Sequence, residues 1–131
     1  MKVKAIYINL ATKDLDKTKY FWTQLGFSFH EKNSNDKALC LVLSEGSMYS
    51  MFIRQDYFNA FTNRPISDVN SNQMLIAIEV ESKERLEQIV NLAIQNGGSR
   101  YKERKDYEWM SYDSFIDPDG HKWEVMYNSN Q

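Results

Sequence analysis

Near its end the chain reads Phe115-Ile116-Asp117-Pro118-Asp119-Gly120-His121-Lys122-Trp123-Glu124-Val125. Pro118 sets φ for a tight turn, and Gly120 tolerates the positive φ that closing such a turn requires. The segment is therefore predicted to be a β-hairpin, with Glu124 inside its second strand. A carboxylate in the middle of a strand is costly to bury unless it meets water, a partner or a metal ion. Glu124 is thus the first candidate for a functional residue.

The composition bounds the class of protein. A length of 131 residues with 42% hydrophobic residues suits one domain with a single core. The net charge of −2 gives no electrostatic footprint for nucleic acid. The apolar runs are shorter than the roughly 18 residues that span a bilayer, and the start, Met1 to Tyr7, lacks the apolar core of a signal peptide. The single cysteine, Cys40, fits a reducing compartment. We expect a cytoplasmic protein without nucleic acid or membrane partners.

The first half of the chain predicts one strand, one helix and three further strands. Lys4–Leu10 alternates as a strand, and Asp14 is suited to cap the helix that follows. Apolar residues recur at helical spacing from about Asp14 to Leu25, and Gly26 ends the helix. The three strands predicted next are Phe27–Lys32, Ala38–Leu43 and Met48–Arg54.

The second half repeats this order after a polar connector. Residues 55–72 break the pattern, with a helical turn indicated by Tyr57, Phe58 and Phe61. Met74–Val80 then predicts a strand, and Ser82–Asn96 predicts an amphipathic helix that Gly97-Gly98 ends. The last strands predicted are Ser99–Asp106, Trp109–Ile116 and His121–Tyr127. The repetition indicates an α+β fold of two βαβββ modules in a single domain, 1–131: module one at about 1–54, the connector 55–72, and module two at about 73–131.

Two motifs connect this pattern to a known family. Ile8 to Leu15 opens the first module, and Asp117 to Glu124 ends the second. Together they resemble the glyoxalase/bleomycin resistance/extradiol dioxygenase superfamily, also called the vicinal oxygen chelate superfamily. Through Trp123 to Met126 and Asp106 to Met110, the chain is most similar to small bacterial proteins labelled predicted lactoylglutathione lyases. The resemblance implies concave mixed sheets and a homodimer, with the clefts formed by modules that pair either within a chain or across the dimer.

The resemblance also implies four positions for a divalent metal ion in the metal-dependent members. One position lies on the first strand and one on the last strand of each module. In this chain they fall on Tyr7, on one residue among Met51, Phe52 and Ile53, on Leu75 and on Glu124. Hard or borderline divalent ions need several converging carboxylate or imidazole ligands, and only Glu124 supplies one. We therefore expect no metal ligands and no cofactor.

Strand alternation predicts which side chains face the concave side. If Ile6, Ile8 and Leu10 pack under the first helix, Tyr7 and Asn9 face away from it. The same count gives the predicted ligand-binding residues Tyr7, Asn9, Met51, Leu75, Tyr112 and Glu124. A mostly apolar surface with few polar points is typical of small-molecule sites. The alternative is a cavity filled by its own methionine and aromatic side chains.

Three functions compete on this sequence. The first is metal-independent binding of an unidentified small molecule in the concave cleft. The second is a metal-dependent lyase or isomerase of lactoylglutathione lyase type, in which Glu124 acts as general base. The third is a module that acts through its surface without a ligand. The missing metal ligands favour the first over the second, and the aromatic content of 14% favours the first over the third. In the first and third, Glu124 is a ligand-positioning or structural residue.

Overall fold

Each half of the chain folds into a four-stranded sheet with one long helix on it. The computed structural model describes residues 2–60 and 74–129. The chain divides into two units, Met1–Ile66 and Ser67–Gln131. The first unit contains β1 (Ile6–Thr12), α1 (Leu15–Gln24), β2 (Ser28–Phe29), β3 (Ala38–Ser44), β4 (Met48–Arg54) and the short α2 (Gln55–Phe58). The second contains β5 (Ile76–Glu79), α3 (Lys83–Gln95), β6 (Lys105–Asp106), β7 (Met110–Ile116) and β8 (Lys122–Asn128).

The two sheets have the same topology. Their strand orders are β1-β4-β3-β2 and β5-β8-β7-β6. In each sheet the first strand of the module pairs in parallel with the last, and the remaining pairs are antiparallel. The predicted α+β fold of two βαβββ modules with mixed sheets is confirmed. Among the described residues, no helix is long and apolar enough to cross a membrane.

The helices begin and end where the sequence predicts. The Asp14 carboxylate accepts a hydrogen bond from the Lys17 amide at 3.1 Å, and the Ser82 hydroxyl accepts one from the Arg85 amide at 3.0 Å. Each cap satisfies an amide that the first turn of a helix leaves without a partner. At the other ends Gly26 and Gly97 adopt φ of 94° and 105°, a left-handed conformation that strongly favours glycine.

Each helix packs its apolar stripe on one face of its own sheet. In the first unit the Trp22 ring lies 5.8 Å from the Phe52 ring, and the hydroxyls of Thr12 and Thr18 share a buried hydrogen bond. In the second unit the core is formed by fully buried side chains of α3, β7 and β8: Leu86, Ile89, Val90, Ala93, Phe115, Trp123 and Val125. Each large apolar side chain buried in this way contributes about 1.5–3 kcal/mol to stability. This packing defines a helix side of each sheet and an opposite side, the open face.

The outer strands are shorter than predicted. The prediction of a strand over Phe27–Lys32 is wrong beyond Phe29, because a 3₁₀ turn occupies Glu31–Asn33. There the Ser34 hydroxyl donates to the His30 carbonyl at 2.8 Å and accepts from the Cys40 amide at 3.0 Å. The Ser34 side chain thus takes the place of hydrogen bonds that a longer pairing of β2 with β3 would form.

The other outer strand is interrupted by a bulge. The predicted strand Ser99–Asp106 retains only the Ser99–Ile116 bridge and β6, so residues 100–104 lie opposite 113–115. Extra residues on one strand of a pair force that strand to bend out of the ladder. We name residues 100–104 the edge bulge.

The remaining boundaries differ by small amounts. β1 begins and ends two residues later than predicted, and β5 is confined to Ile76–Glu79. The helical turn predicted around Tyr57 and Phe58 is α2, whereas Phe61 lies outside the described residues. The predicted division into modules and a connector within a single domain stays a prediction.

The hairpin between β7 and β8 is organised by one buried carboxylate. Asp117 is 4% exposed. Its Oδ1 accepts hydrogen bonds from the amides of Asp119 and His121 at 3.0 Å, and its Oδ2 accepts one from the Trp123 indole at 3.1 Å. Gly120, with φ of 89°, closes the turn by donating to the Asp117 carbonyl at 2.9 Å. Burial raises the pKa of Asp117 from its ordinary 3.8 to about 6, and the nearby His121 acts in the opposite direction.

The raised pKa of Asp117 predicts a pH dependence of stability. The folded chain holds this proton at pH values where the unfolded chain releases it, so the contribution to stability is fully present below pH 4. It is lost as the pH rises through 6. On lowering the pH from 7 to 4, wild type should gain up to about 3 kcal/mol of unfolding free energy relative to Asp117→Asn. Chemical denaturation across this range measures the difference.

The control for this experiment is His121→Gln, which removes the side chain whose charge opposes the effect of burial on Asp117. If the difference between wild type and Asp117→Asn does not change with pH in either background, burial does not raise the pKa of this carboxyl group.

Candidate functional site

The open face of the first sheet is aromatic and apolar. The register pairs Tyr7 with Tyr49 and Asn9 with Met51, all on the side away from α1. The ring of Tyr7 stacks on that of Tyr49 at 4.9 Å and is 49% exposed. The Tyr49 hydroxyl is held by the Gly46 amide at 2.7 Å. The structure therefore places the predicted residues Tyr7, Asn9 and Met51 together on one face.

The single cysteine belongs to this face and is buried. Cys40 lies opposite Met51 and is 0% exposed. Burial raises the pKa of its thiol, and the negative charge of Glu45 raises it further. Since the thiolate is the reactive form, Cys40 is an inert packing residue. This agrees with its apolar sequence context.

His30 lies at the edge of the same face. Its ring meets the Tyr49 ring edge-on at 6.4 Å, and its Nε2 lies 3.8 Å from the Glu45 carboxylate. Its Nδ1 is buried and has no hydrogen-bond partner in the described part of the chain. A buried polar atom of this kind is rare in folded proteins unless water or a ligand reaches it.

The open face of the second sheet carries Glu124. The register places Glu124 between Ser114 of β7 and Ala77 of β5, and places Tyr112 opposite Met126 two residues further along. Leu75 directly precedes β5 and is 51% exposed. The predicted residues Leu75, Tyr112 and Glu124 are thus found in the second unit. The approach of Tyr7 to Glu124, which lie in different units, stays a prediction.

The structure adds Tyr101 to this face, a residue that sequence reasoning missed. Its neighbour Arg100 turns to the helix side and binds the Asp113 carboxylate through two hydrogen bonds of 2.8 Å. On the other flank, the backbone of Lys102 is held by the Ser114 hydroxyl through contacts of 3.2 Å. Ser114 faces the open side next to Glu124, and the Tyr101 hydroxyl lies close enough to Glu124 for its charge to act on it, so the edge bulge brings Tyr101 to this face.

The hydroxyl of Tyr101 is buried without a hydrogen-bond partner among the described residues. Burial raises the pKa of this hydroxyl, and the charge of Glu124 raises it further. A signal for Tyr101 exists in the repeat: it follows Gly97 by four positions, as His30 follows Gly26. The same position in each module therefore carries a buried polar atom that has no hydrogen-bond partner in residues 2–60 and 74–129.

Two exposed aromatic residues extend the second open face. The rings of Tyr107 and Trp109 stack at 5.9 Å with an interplanar angle of 15°, and the Tyr107 ring lies 6.4 Å from that of Tyr112. Tyr107 and Trp109 are each 49% exposed. We call Tyr112, Tyr107 and Trp109 the aromatic row. The row leads from the open face to the tip of the β6–β7 hairpin.

The residues at the four matched metal positions do not fit a hard divalent ion. The pairs Asn9–Met51 and Ala77–Glu124 occupy the same place in their sheets, so Met51, and not Phe52 or Ile53, is the counterpart of Glu124. Together with Tyr7 and Leu75, the set offers a phenol, a thioether, an alkyl group and one carboxylate. Zn²⁺ and Ni²⁺ sites require more nitrogen, thiolate or carboxylate ligands than this.

One group of possible ligand atoms does come together in the described residues. Asp117, Asp119 and His121 offer atoms within 4.8 Å of one another. Both oxygens of Asp117 already accept hydrogen bonds that close the hairpin. We therefore assign this group to the structure of the turn.

A cleft of about 580 Å³ lies elsewhere in the first unit, at the N-terminal end of α1. Lys13, Asp14, Asp36, Arg54 and Asp56 are among its lining residues. Arg54 and Asp56, which both line it, form an ion pair of 2.6 Å. The cleft contains charges of both signs and none of the predicted site residues.

Comparison with known proteins identifies the family. The family model described as "Glyoxalase/Bleomycin resistance protein/Dioxygenase superfamily" matches residues 4–125. The chain belongs to this superfamily. A search of the curated proteins found no match to the sequence. The superfamily assignment confirms the resemblance drawn from the opening and closing motifs.

Several solved structures have the same fold. Hypothetical protein SA1046 from S. aureus is 24% identical, with a TM-score of 0.79 over 97% of this chain and 95% of that one. A family enzyme from Burkholderia phytofirmans PsJN is 19% identical, with a TM-score of 0.77 over 93% and 96%. A bleomycin-binding protein complexed with bleomycin is 20% identical, with a TM-score of 0.63 over 97% and 99%. At these identities the likeness concerns the fold alone.

The set of ligand atoms at the matched positions predicts weak response to divalent metal ions. Millimolar Zn²⁺, Ni²⁺, Mn²⁺ or Mg²⁺ should each shift the melting temperature by less than about 1 °C, because an ion stabilises the folded state only when its concentration exceeds its dissociation constant for that state. Elemental analysis of purified protein provides the independent measurement. Stoichiometric Zn²⁺ or Ni²⁺ that is lost in Glu124→Gln would refute the expectation.

Proposed function

We propose that this protein binds a small organic molecule on the open faces of its sheets without using a metal ion. The observation that carries the proposal is the second open face, where Glu124, the buried hydroxyl of Tyr101 and the exposed aromatic row occur together. Small-molecule sites combine apolar surface with a few polar groups that fix orientation. The predicted residues contribute to two separate faces: Tyr7, Asn9 and Met51 to the open face of the first sheet, and Leu75, Tyr112 and Glu124 to that of the second.

A solved structure with the same fold supports this proposal. The bleomycin-binding protein whose fold resembles this chain binds a small molecule, bleomycin. Binding rather than turnover is therefore a function for which this fold is suited.

The single cysteine, Cys40, is buried and free, which supports our placement of the protein in the cytoplasm.

A metal-dependent lyase or isomerase of lactoylglutathione lyase type is the second candidate. It is favoured by Glu124, which occupies the last-strand ligand position of the metal-dependent members and is half-buried. It is opposed by Tyr7, Met51 and Leu75 at the other three positions. Activity toward the hemithioacetal of methylglyoxal and glutathione, measured with added Ni²⁺ or Zn²⁺ and abolished in Glu124→Gln, would establish it.

Variants of Glu124 test the binding function. Glu124→Gln keeps the shape of the side chain and removes its charge, so the fold should persist within about 1 kcal/mol while ligand-induced shifts in melting temperature change. Glu124→Leu should be equally stable or more stable, because it removes a half-buried carboxylate. Thermal-shift measurements with one panel of small organic molecules compare wild type and both variants.

Glu84→Gln serves as the matched control, since Glu84 is an exposed glutamate on α3, on the opposite side of the sheet. If no compound of the panel distinguishes wild type from either Glu124 variant, the open face of the second sheet is not the site. The third function, a module that acts through its surface, is then favoured.

We also propose that the protein is a homodimer. β1 and β5 lie at the edges of their sheets, and Ile6 and Tyr7 on β1 are about half exposed. Exposed apolar edges favour association unless they are covered. Light scattering at tens of micromolar should give twice the chain mass of 15.5 kDa, and Tyr7→Lys should shift the equilibrium towards the monomer. A wild-type mass of one chain would contradict the proposal.

A further inference from the structure

We propose that the edge bulge is a gate, which opens as one unit while the rest of the second sheet stays folded. In the closed form the hydroxyl of Tyr101 is buried, and in the open form it meets water. The inference goes beyond the proposed function, because it concerns the motion of one segment and its test needs no ligand.

The backbone of the edge bulge is held less firmly than its neighbours. Within the described residues, none of residues 100–104 forms a backbone-to-backbone hydrogen bond, whereas Ser99 and Lys105 on either side still pair with β7. The Ser114 hydroxyl binds the amide and the carbonyl of Lys102, each at 3.2 Å. Segments with few ladder hydrogen bonds open locally at a lower cost than the whole fold.

Two arginine side chains attach the edge bulge to the helix side of the sheet. Arg100 binds the Asp113 carboxylate through two hydrogen bonds of 2.8 Å, and Arg104 binds Glu87 of α3 at 2.8 Å. The arginine side chains are 39% and 27% exposed, so water reaches both ion pairs. Ion pairs in contact with water hold a segment only weakly. Both ends of the bulge can therefore detach without disturbing the core.

The buried hydroxyl of Tyr101 favours the open form. It has no hydrogen-bond partner in the described part of the chain, and a buried polar group in this condition loses the hydrogen bonds that it makes with water. Opening of the bulge restores these bonds. Tyr49 provides the contrast, because its hydroxyl accepts a hydrogen bond from the Gly46 amide at 2.7 Å. Removal of the hydroxyl should thus stabilise the closed form at Tyr101 and destabilise the fold at Tyr49.

Hydrogen exchange of the Lys102 amide, followed by NMR, measures the opening. This amide is protected through its contact with Ser114. In wild type it should exchange at least about a hundredfold faster than the amide of Val90, which lies in the buried part of α3 and is exposed only when the unit unfolds.

Three variants test the gate. Tyr101→Phe should slow exchange of the Lys102 amide about tenfold and raise the melting temperature, because the closed form no longer buries an unpaired hydroxyl. Glu87→Gln removes the charge that faces Arg104 and should speed the exchange of Lys102 about threefold. Tyr49→Phe is the matched control: it should lower the melting temperature and leave the exchange of Lys102 unchanged.

Three results would each overturn the gate. Tyr101→Phe could lower the melting temperature as Tyr49→Phe does, which would mean that this hydroxyl has a partner in the folded protein. Glu87→Gln could leave the exchange of Lys102 unchanged, which would mean that the bulge does not open as one unit. The Lys102 amide could exchange as slowly as that of Val90, which would mean that the bulge opens only on unfolding. Small-molecule binding at the open face is judged separately, by the variants of Glu124.

Discussion

The buried carboxylate of Asp117 is the constraint on which the second unit depends. It binds two amides of the turn and the indole of Trp123, so the turn and the following strand are fixed to each other. Trp123 then enters the core, and Glu124 must face the open side. A slip of one residue in this strand would exchange the two faces. Glu124 is the only carboxylate at the matched metal positions, and its orientation is therefore fixed by a turn several residues away in the sequence.

Most of the fold could be predicted because its determinants are local in sequence. Asp14 and Ser82 cap helices through amides three residues away, and Gly26 and Gly97 end them by their own conformation. The outer strands could not be predicted with the same accuracy. Their pairing is replaced by contacts of Ser34 with Cys40 and of Ser114 with Lys102. Nothing in the sequence near these serines indicates such distant partners.

In the candidate site, too, the residues on regular strands could be predicted and those in irregular segments could not. Alternation along regular strands placed Asn9, Met51, Tyr112 and Glu124 on the open faces, since register and period alone decide the side. Tyr101 was missed because the edge bulge breaks the period of two on which alternation depends. Tyr107 and Trp109 were not predicted to belong to the open face, because they lie in a turn, where alternation does not apply. Whether Tyr7 and Glu124 share one pocket depends on how the modules pair, which strand alternation does not determine.

The edge bulge has a consequence for the life of the protein in a crowded cell. A long, flat outer strand offers a row of free amides and carbonyls on which another chain can add a strand, which is the first step towards fibrils. In the second sheet that row is broken, because β6 is only two residues long and the chain before it bends away with charged residues on it. The bend that brings Tyr101 to the open face therefore also protects this edge of the sheet from aggregation.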